Sequence, residues 1–146
     1  MADRISEDIA AAAAEIVDAF RANDEERYFA GFAPECTFAF HTDAAILRGR
    51  DAWRRGWREL LESGWKVVDC RSLETIVQPI GEDGGVFLHE LETTAEEGGE
   101  RATYRERETI VFERREDRLL AIHEHLSPVP VAAGEDEARD GEEAAR

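Results

Sequence analysis

Three of the four histidines, His89, His123 and His125, fall in the last third of the chain, where two antiparallel hairpins are predicted. Imidazole is the side chain whose charge changes near neutral pH, so acid–base chemistry or a metal site would be built here. On its predicted strand His89 shares a face with Phe87, and a polar group in an apolar pocket is typical of a tuned acid–base residue. A core histidine hydrogen bonded to its neighbours is the alternative.

His123 and His125 are two residues apart, so on a strand both rings lie on one face, a spacing found in two-histidine metal sites. A third ligand would be needed, and His89 or Glu90 could supply it only if the strands align. Because the pair alone is a weak motif, we predict structural histidines bonded to neighbouring groups. We predict neither a metal nor any other cofactor.

Which face of the last strand meets the interior stays open at this point. One face carries His123 and His125. The opposite, more apolar face carries Leu120, Ile122, Glu124 and Leu126. If the apolar face points inward, Glu124 rather than His123 enters the pocket, and a single β-bulge reverses the assignment.

The preceding strand alternates arginine with glutamate over Arg105, Glu106, Arg107 and Glu108. Opposite charges on neighbouring strands stabilise a sheet when they face each other across the ladder. The alternation therefore predicts cross-strand ion pairs on a solvated or subunit-facing surface.

The elements that must position these residues follow from periodicity and from turn residues. Helices are predicted over 7–22, 24–32 and 51–63, and strands over 36–41, 46–48, 65–78, 86–94, 101–113 and 119–127. Ser6 is expected to cap the first helix, Asn23 the second, and Gly64 to follow the third at the C′ position. Helices first and strands last favour an α+β fold, with the helices on one face of a curved sheet.

Composition limits the domain count and the partners. The 146 residues suit one domain over 1–130, and the acidic segment 131–146, which lacks large apolar residues, is expected to be a disordered tail. With 34 acids against 18 bases the formal charge is −16, which disfavours nucleic acid and anionic membrane as partners. Cys36 and Cys70 are isolated thiols, and no apolar run approaches membrane length, so we expect a cytoplasmic protein.

The order of elements, together with several short motifs, resembles the nuclear transport factor 2-like superfamily. The motifs are residues 80–83 before a strand, Glu108-Thr109 in the next, Arg114-Arg115 at a turn, His123, His125 and Ser127 in the last strand, and Arg48-Gly49-Arg50 opening the third helix. The superfamily includes ketosteroid isomerase, scytalone dehydratase, SnoaL-type polyketide cyclases and the association domain of calcium/calmodulin-dependent protein kinase II. The resemblance covers residues 6–128. It implies a cone-shaped α+β barrel, in which a curved, mostly antiparallel, cystatin-like sheet packs on the N-terminal helices.

The resemblance also implies a pocket inside the cone. Its expected lining is Tyr28, Phe40, Trp57, His89, Ile110 and His123. Scytalone dehydratase uses paired pocket histidines, which makes His89 and His123 the candidate catalytic pair. The general base of ketosteroid isomerase would align with Phe40, which cannot take a proton.

Three functions are compatible with the resemblance, because this fold carries many activities. The first is a small-ligand-binding protein with an apolar pocket. The second is a cofactor-independent isomerase, dehydratase or cyclase, and the third is an oligomerisation module. A homodimer formed through the open face of the sheet is expected in each case.

Overall fold

The protein, described here by a computed structural model over residues 2–130, has three helices and six strands in that range. They are α1 (Ala2–Arg21), α2 (Glu25–Phe29), β1 (Phe32–Phe40), β2 (Leu47–Arg48), α3 (Arg50–Glu62), β3 (Lys66–Pro79), β4 (Gly84–Glu97), β5 (Glu100–Arg115) and β6 (Arg118–Pro128). The predicted order of elements is confirmed. The tail predicted over 131–146 lies outside the described residues, and within them no helix is both long and apolar enough to span a membrane.

The strands form one mixed sheet in the order β2-β1-β6-β5-β4-β3. All neighbouring strands are antiparallel except β1 and β6, which run parallel. The sheet does not close on itself. Helix α1 packs against β3 and β4, and α3 packs against β1, so the helices cover one face of the sheet. The predicted α+β fold is confirmed, and the covered face is where a pocket can form.

Helix α1 forms because its apolar residues recur every three or four positions and make one buried stripe. The stripe consists of Ile5, Ile9, Ala13, Ile16 and Ala19, each at most 3% exposed. The helix already includes Ala2, so the expected cap at Ser6 is wrong. At the other end of the helical layer, Gly64 has φ +98 after α3, which confirms its predicted C′ position.

The turn between α1 and α2 ties the helices to the sheet. Asp24, not Asn23, caps α2, because its side chain accepts a hydrogen bond from the backbone N–H of Arg27 at 3.2 Å. Asn23 has φ 55, and its amide bonds both backbone groups of Val67 on β3, at 2.8 and 3.0 Å. Asparagine tolerates this left-handed conformation better than most residues, which explains its presence here. Helix α2 is also shorter than predicted and ends at Phe29.

A β-bulge on β6 decides which face of that strand points inward. Val111 of β5 pairs with His123, whereas Phe112 pairs with Ala121, so Ile122 is the extra residue. As a result Ala121 and Glu124 are both buried, at 0% and 3% exposure. The question left open by the sequence is answered in favour of Glu124.

The opposite face of the sheet carries a ladder of ion pairs. Glu92 of β4 accepts from Arg71 at 2.6 Å and from Arg105 at 3.2 Å, and Arg107 lies 3.7 Å from Glu90. The predicted pairing of these arginines with neighbouring strands is therefore confirmed. Glu106 and Glu108, expected on the same surface, point the other way and are buried.

Candidate functional site

A cavity of about 660 Å³ lies between the helices and the covered face of the sheet. Its volume is within the range of small-molecule sites in proteins, about 300–1,000 Å³. The apolar part of its wall comprises Ile16, Val17, Phe20, Tyr28, Phe40, Trp53, Leu60, Trp65, Leu91 and Leu126. These side chains come from all three helices and from several strands. This cavity, called the cone below, is therefore lined largely by apolar side chains.

Three glutamates enter this cavity from neighbouring strands. Glu106 and Glu108 are two residues apart on β5, so they point to the same side of the sheet. Glu124 joins them from β6 because of the bulge. Glu106 and Glu108 are 5% exposed and Glu124 is 3% exposed. Carboxyl groups this buried are rare unless each has a partner.

Glu108 is hydrogen bonded to a buried histidine, His89, that lies outside the cavity wall. His89 Nε2 lies 2.6 Å from Glu108 Oε1, and His89 Nδ1 lies 2.6 Å from Ser72 Oγ. One neutral tautomer satisfies both bonds, with Nε2–H donating to the carboxylate and Nδ1 accepting from the hydroxyl. The imidazole side chain is fully buried. His89 thus orients Glu108 and does not itself line the cavity.

Glu108 and Glu124 are hydrogen bonded to each other and differ in protonation. Burial raises the pKa of Glu124 well above its usual range, and the charge of nearby Glu108 raises it further. Burial also raises the pKa of Glu108. The hydrogen bonds from Glu124 and His89 lower this pKa by more, so it lies below its usual value. The two shifts are opposite, so Glu124 is the member of the pair that keeps its proton to higher pH.

One oxygen of this pair is left without a partner. Glu124 Oε1 is buried and forms no hydrogen bond with any group of residues 2–130. A buried acceptor that stays unpaired costs about 1–3 kcal/mol. Since Glu124 lines the cavity, a bound molecule with an O–H or N–H group could satisfy this oxygen.

The third glutamate and a tyrosine complete the polar part of the wall. Glu106 Oε2 lies 2.5 Å from His41 Nε2, at the end of β1. Tyr28 Oη accepts a hydrogen bond from Trp53 Nε1 at 3.1 Å. Burial raises the pKa of Tyr28 well above its usual value, and the nearby acids Glu124 and Glu108 raise it further. The phenol therefore stays neutral and can donate its own proton to a ligand.

Of the pocket residues expected from the sequence, Tyr28 and Phe40 line the cavity. Trp57 and Ile110 do not. Both are fully buried in the hydrophobic core beside it, where Trp57 packs against Tyr28 with ring centroids 4.7 Å apart. These two residues support the wall and make no part of its surface.

His123 lies on the face of the sheet opposite the cavity. Its Nδ1 is 2.8 Å from Thr37 Oγ1, and its ring is 6.3 Å from that of His125. Partial burial lowers the pKa of His123, and His125 lowers it further. The expected catalytic pairing of His89 with His123 therefore does not form in the structure. Among residues 2–130 no group of three or more potential ligand side chains is arranged to hold a metal ion.

Two glutamates of the site, Glu106 and Glu108, were expected from the sequence on a charged outer surface. A signal that could have placed them is the turn Gly98-Gly99, since a two-residue hairpin loop sets the register of both strands. With Glu97 opposite Glu100, His89 falls opposite Glu108, as the structure has it. The apolar neighbours of His89 on β4 then put that carboxylate inside.

Comparison with known proteins agrees with this architecture. A family model described as "SnoaL-like domain" matches residues 9–132. No curated protein matches the chain in sequence.

Solved structures similar to the chain show the fold at low sequence identity. A nuclear transport factor 2 superfamily protein from Salmonella enterica is 16% identical with a TM-score of 0.78, covering 92% of this chain and 99% of that one. A ketosteroid isomerase-like protein from Erwinia carotovora atroseptica is 15% identical with a TM-score of 0.77, covering 86% and 97%. A putative calcium/calmodulin-dependent protein kinase II association domain from Xanthomonas campestris is 18% identical with a TM-score of 0.72, covering 85% and 87%.

Proposed function

The chain belongs to the SnoaL-like domain family, and on that premise we propose that its cone is the active site of a cofactor-independent dehydratase for a small, largely apolar alcohol. The family and its nuclear transport factor 2-like fold support a ligand-binding or isomerase-like protein. The specific proposal of a dehydratase rests on the Glu108–Glu124 pair on the cavity wall. Two carboxyl groups whose surroundings drive their pKa values apart are the usual mark of an acid and a base.

An alcohol fits the unpartnered oxygen of the site. The hydroxyl of the ligand donates to Glu124 Oε1, which has no other partner among the described residues. The rest of the molecule contacts the aromatic wall, which includes Phe40 and Trp53. Apolar burial supplies binding energy in proportion to the area removed from water, and the one polar contact orients the reacting group.

The charge of the pocket favours dehydration over enolisation. Loss of a hydroxyl develops positive charge on carbon, whereas enolisation develops negative charge on oxygen. Glu106 and Glu108 are acidic, and aromatic rings such as those of Tyr28 and Trp53 attract cations. Groups preorganised around developing charge stabilise the transition state of matching sign. This wall therefore suits a cationic transition state.

The reaction balances within the carboxyl pair. The Glu124 carboxyl turns so that its proton, which otherwise lies towards Glu108, points to the ligand. The hydroxyl oxygen then accepts this proton instead of donating its own, and the C–O bond breaks with its electrons leaving on water. The carboxylate of Glu108 takes a proton from the adjacent carbon, and the electrons of that C–H bond form the double bond. The new proton passes from Glu108 to Glu124 along the hydrogen bond that joins them, which restores the starting state.

The test uses cyclic benzylic alcohols, α-tetralol first, whose dehydration to dihydronaphthalene is followed by ultraviolet absorbance. Glu124→Gln keeps the size of the side chain but removes the acid, so we expect the rate to fall about 100- to 10,000-fold. Glu74→Gln, at an exposed position on β3, is the matched control and should leave the rate unchanged. Alkene formation that survives Glu124→Gln, or no binding of any of these alcohols to the wild type by calorimetry, would refute the proposal.

The assembly expected from the sequence also remains a proposal. Among residues 2–130 no helix covers the face of the sheet opposite the cavity, and Ile76 on β3 is 50% exposed. A two-fold pair that buries this face would cover Ile76 and the Arg105–Glu92 ladder. Light scattering at moderate salt should give the mass of a dimer. A monomer mass, or a large ring, would contradict this proposal.

A further inference from the structure

We propose that the cone selects its ligand by charge: it binds hydrophobic organic cations, such as protonated amines, in preference to uncharged molecules of the same shape. Binding of the cation displaces the proton that Glu124 holds. The inference rests on the proposed function only in taking the cone as the ligand site. It does not require dehydration.

The first observation in favour of charge selection is the excess of acids in the cavity wall. Six acids lie in its wall, Glu96, Glu97, Glu100, Glu106, Glu108 and Glu124. The described lining contains a single base, Arg101, whose Nε already donates to Glu96 Oε1 at 3.0 Å. A cleft lined by one sign of charge with low-dielectric walls concentrates ions of the opposite sign. A carboxylate ligand would find no free cation in this lining, whereas an ammonium ion would find several acids.

The unpartnered oxygen of Glu124 is a second and independent observation. It lies on a side chain that is 97% buried in the cavity wall, and nothing among residues 2–130 donates to it. An ammonium ion and a hydroxyl group can both supply the missing donor. Hydrogen bonds with an ionised partner are shorter and stronger than neutral ones, so the ammonium ion gains more from the same position.

Aromatic side chains supply the apolar part of such a site. Phe20, Tyr28, Phe40, Trp53 and Trp65 all contribute to the wall. Aromatic rings attract cations through their negative faces, and organic ammonium ions are recognised in this way elsewhere in proteins. The combination of acids and aromatic rings thus accommodates both the charge and the hydrocarbon part of a hydrophobic amine.

Burial and the nearby acids keep the proton bound to Glu124. The groups that face it are Glu106 and Glu108 of β5, Cys70 of β3, Cys36 of β1 and Tyr28 of α2. Burial raises the pKa of both thiols and of the phenol, so these three groups are neutral at neutral pH. A cation placed against Glu124 opposes the burial and the acidic repulsion that keep its proton bound. Glu124 is therefore the group that gives up a proton on binding.

The experiment compares three probes of matched shape by titration calorimetry: naphthylmethylammonium, naphthylmethanol and naphthylacetate. We expect the cation to bind at least about tenfold more tightly than the alcohol, and the carboxylate to show no measurable binding. Titrations of the cation in buffers of different ionisation enthalpy should reveal the release of about one proton. Its affinity should rise about tenfold per pH unit while free Glu124 remains protonated.

Glu124→Gln keeps an acceptor oxygen and the size of the side chain but cannot release a proton. In this variant proton release and the pH dependence of cation binding should disappear, and the preference for the cation over naphthylmethanol should fall. Glu74→Gln, exposed on β3, should behave as the wild type with all three probes. Circular dichroism of each variant checks the fold.

Each other result contradicts a defined part of the reasoning. If the alcohol binds as tightly as the cation, selection by charge is wrong, and the dehydratase proposal stands. If the cation binds without releasing a proton, the displacement at Glu124 is wrong. If none of the three probes binds, the cone is not a ligand site, and both proposals fail.

Discussion

His89→Phe should destabilise the protein at neutral pH, because it removes both hydrogen bonds of a fully buried imidazole. The bond to the Glu108 carboxylate contributes about 1.5–3 kcal/mol and the bond to Ser72 about 0.5–1.5 kcal/mol. Phenylalanine has a similar ring and can keep the edge contact with Phe87, whose centroid lies 4.7 Å away. We therefore expect a loss of about 2–4.5 kcal/mol in the free energy of unfolding. For a domain of this size that corresponds to about 2–4 °C in Tm per kcal/mol.

The loss should depend on pH in a defined direction. In the wild type the pKa of Glu108 is lowered, so its contribution to stability is present above the unfolded value of about 4.3 and disappears as pH falls through the folded pKa. Removing His89 raises that folded pKa, because the imidazole is one of the groups that lower it. Once acid protonates Glu108 in the variant, no buried charge is left unpaired. The difference between wild type and variant should therefore be largest at neutral pH and shrink on acidification.

Urea denaturation followed by circular dichroism, from neutral pH to below the ordinary glutamate pKa, measures both effects. Ser72→Ala should reproduce only the smaller part of the loss, about 0.5–1.5 kcal/mol. His125→Phe, at an exposed position on the other face of the sheet, is the matched control and should change stability little. A His89→Phe variant as stable as the wild type at neutral pH, or a loss that does not change with pH, would refute the assigned contacts.

Three further predictions follow from individual contacts. Asn23→Ala should lower the free energy of unfolding by about 2–3 kcal/mol, because it removes two hydrogen bonds to Val67 and strains a left-handed backbone. Urea denaturation measures the loss, and Asn23→Gly should recover the part due to strain. Burial raises the pKa of the Cys70 thiol to about 12, so iodoacetamide should not label it in the native protein at neutral pH; labelling as fast as that of unfolded chain would contradict its burial. The raised pKa of Glu124 means that the folded state binds its proton more tightly, so this group makes stability fall as pH rises from about 4.3 through the folded pKa. Glu124→Gln should remove this slope from the pH dependence of unfolding, and an unchanged slope would contradict the assignment.

Much of the fold was predictable because it depends on local patterns. The buried stripe of α1 follows from helical spacing, and the glycines at 64, 98 and 99 mark a helix end and a hairpin turn that require positive φ. The boundaries were less accurate where two signals compete. Asn23 has the side chain of a helix cap, but Asp24 takes that role, since Asn23 bonds the backbone of Val67 on a strand 44 residues away.

The site itself was only partly predictable. Tyr28 and Phe40, expected in the pocket from the family resemblance, line the cavity. His123, included in the expected pocket although the face of its strand was open, lies on the opposite face of the sheet. Glu106 and Glu108, expected on the outer surface, are buried. For β6 the reason is that side chains alternate along a strand, so the extra residue Ile122 exchanges the two faces. The sequence around the last turn does not reveal that residue.

The amino-acid sequence by itself determined the order of helices and strands, the α+β class and the family resemblance, because periodicity and turn residues act over a few positions. Only the tertiary structure decided the chemistry of the cone. The bulge at Ile122 turns Glu124 inward, where it meets the Glu108 carboxylate that the neighbouring hairpin holds against His89. The protonation of the carboxyl pair then depends on burial and on a neighbouring charge from another strand. Such properties arise from contacts between residues distant in sequence, and no local pattern contains them.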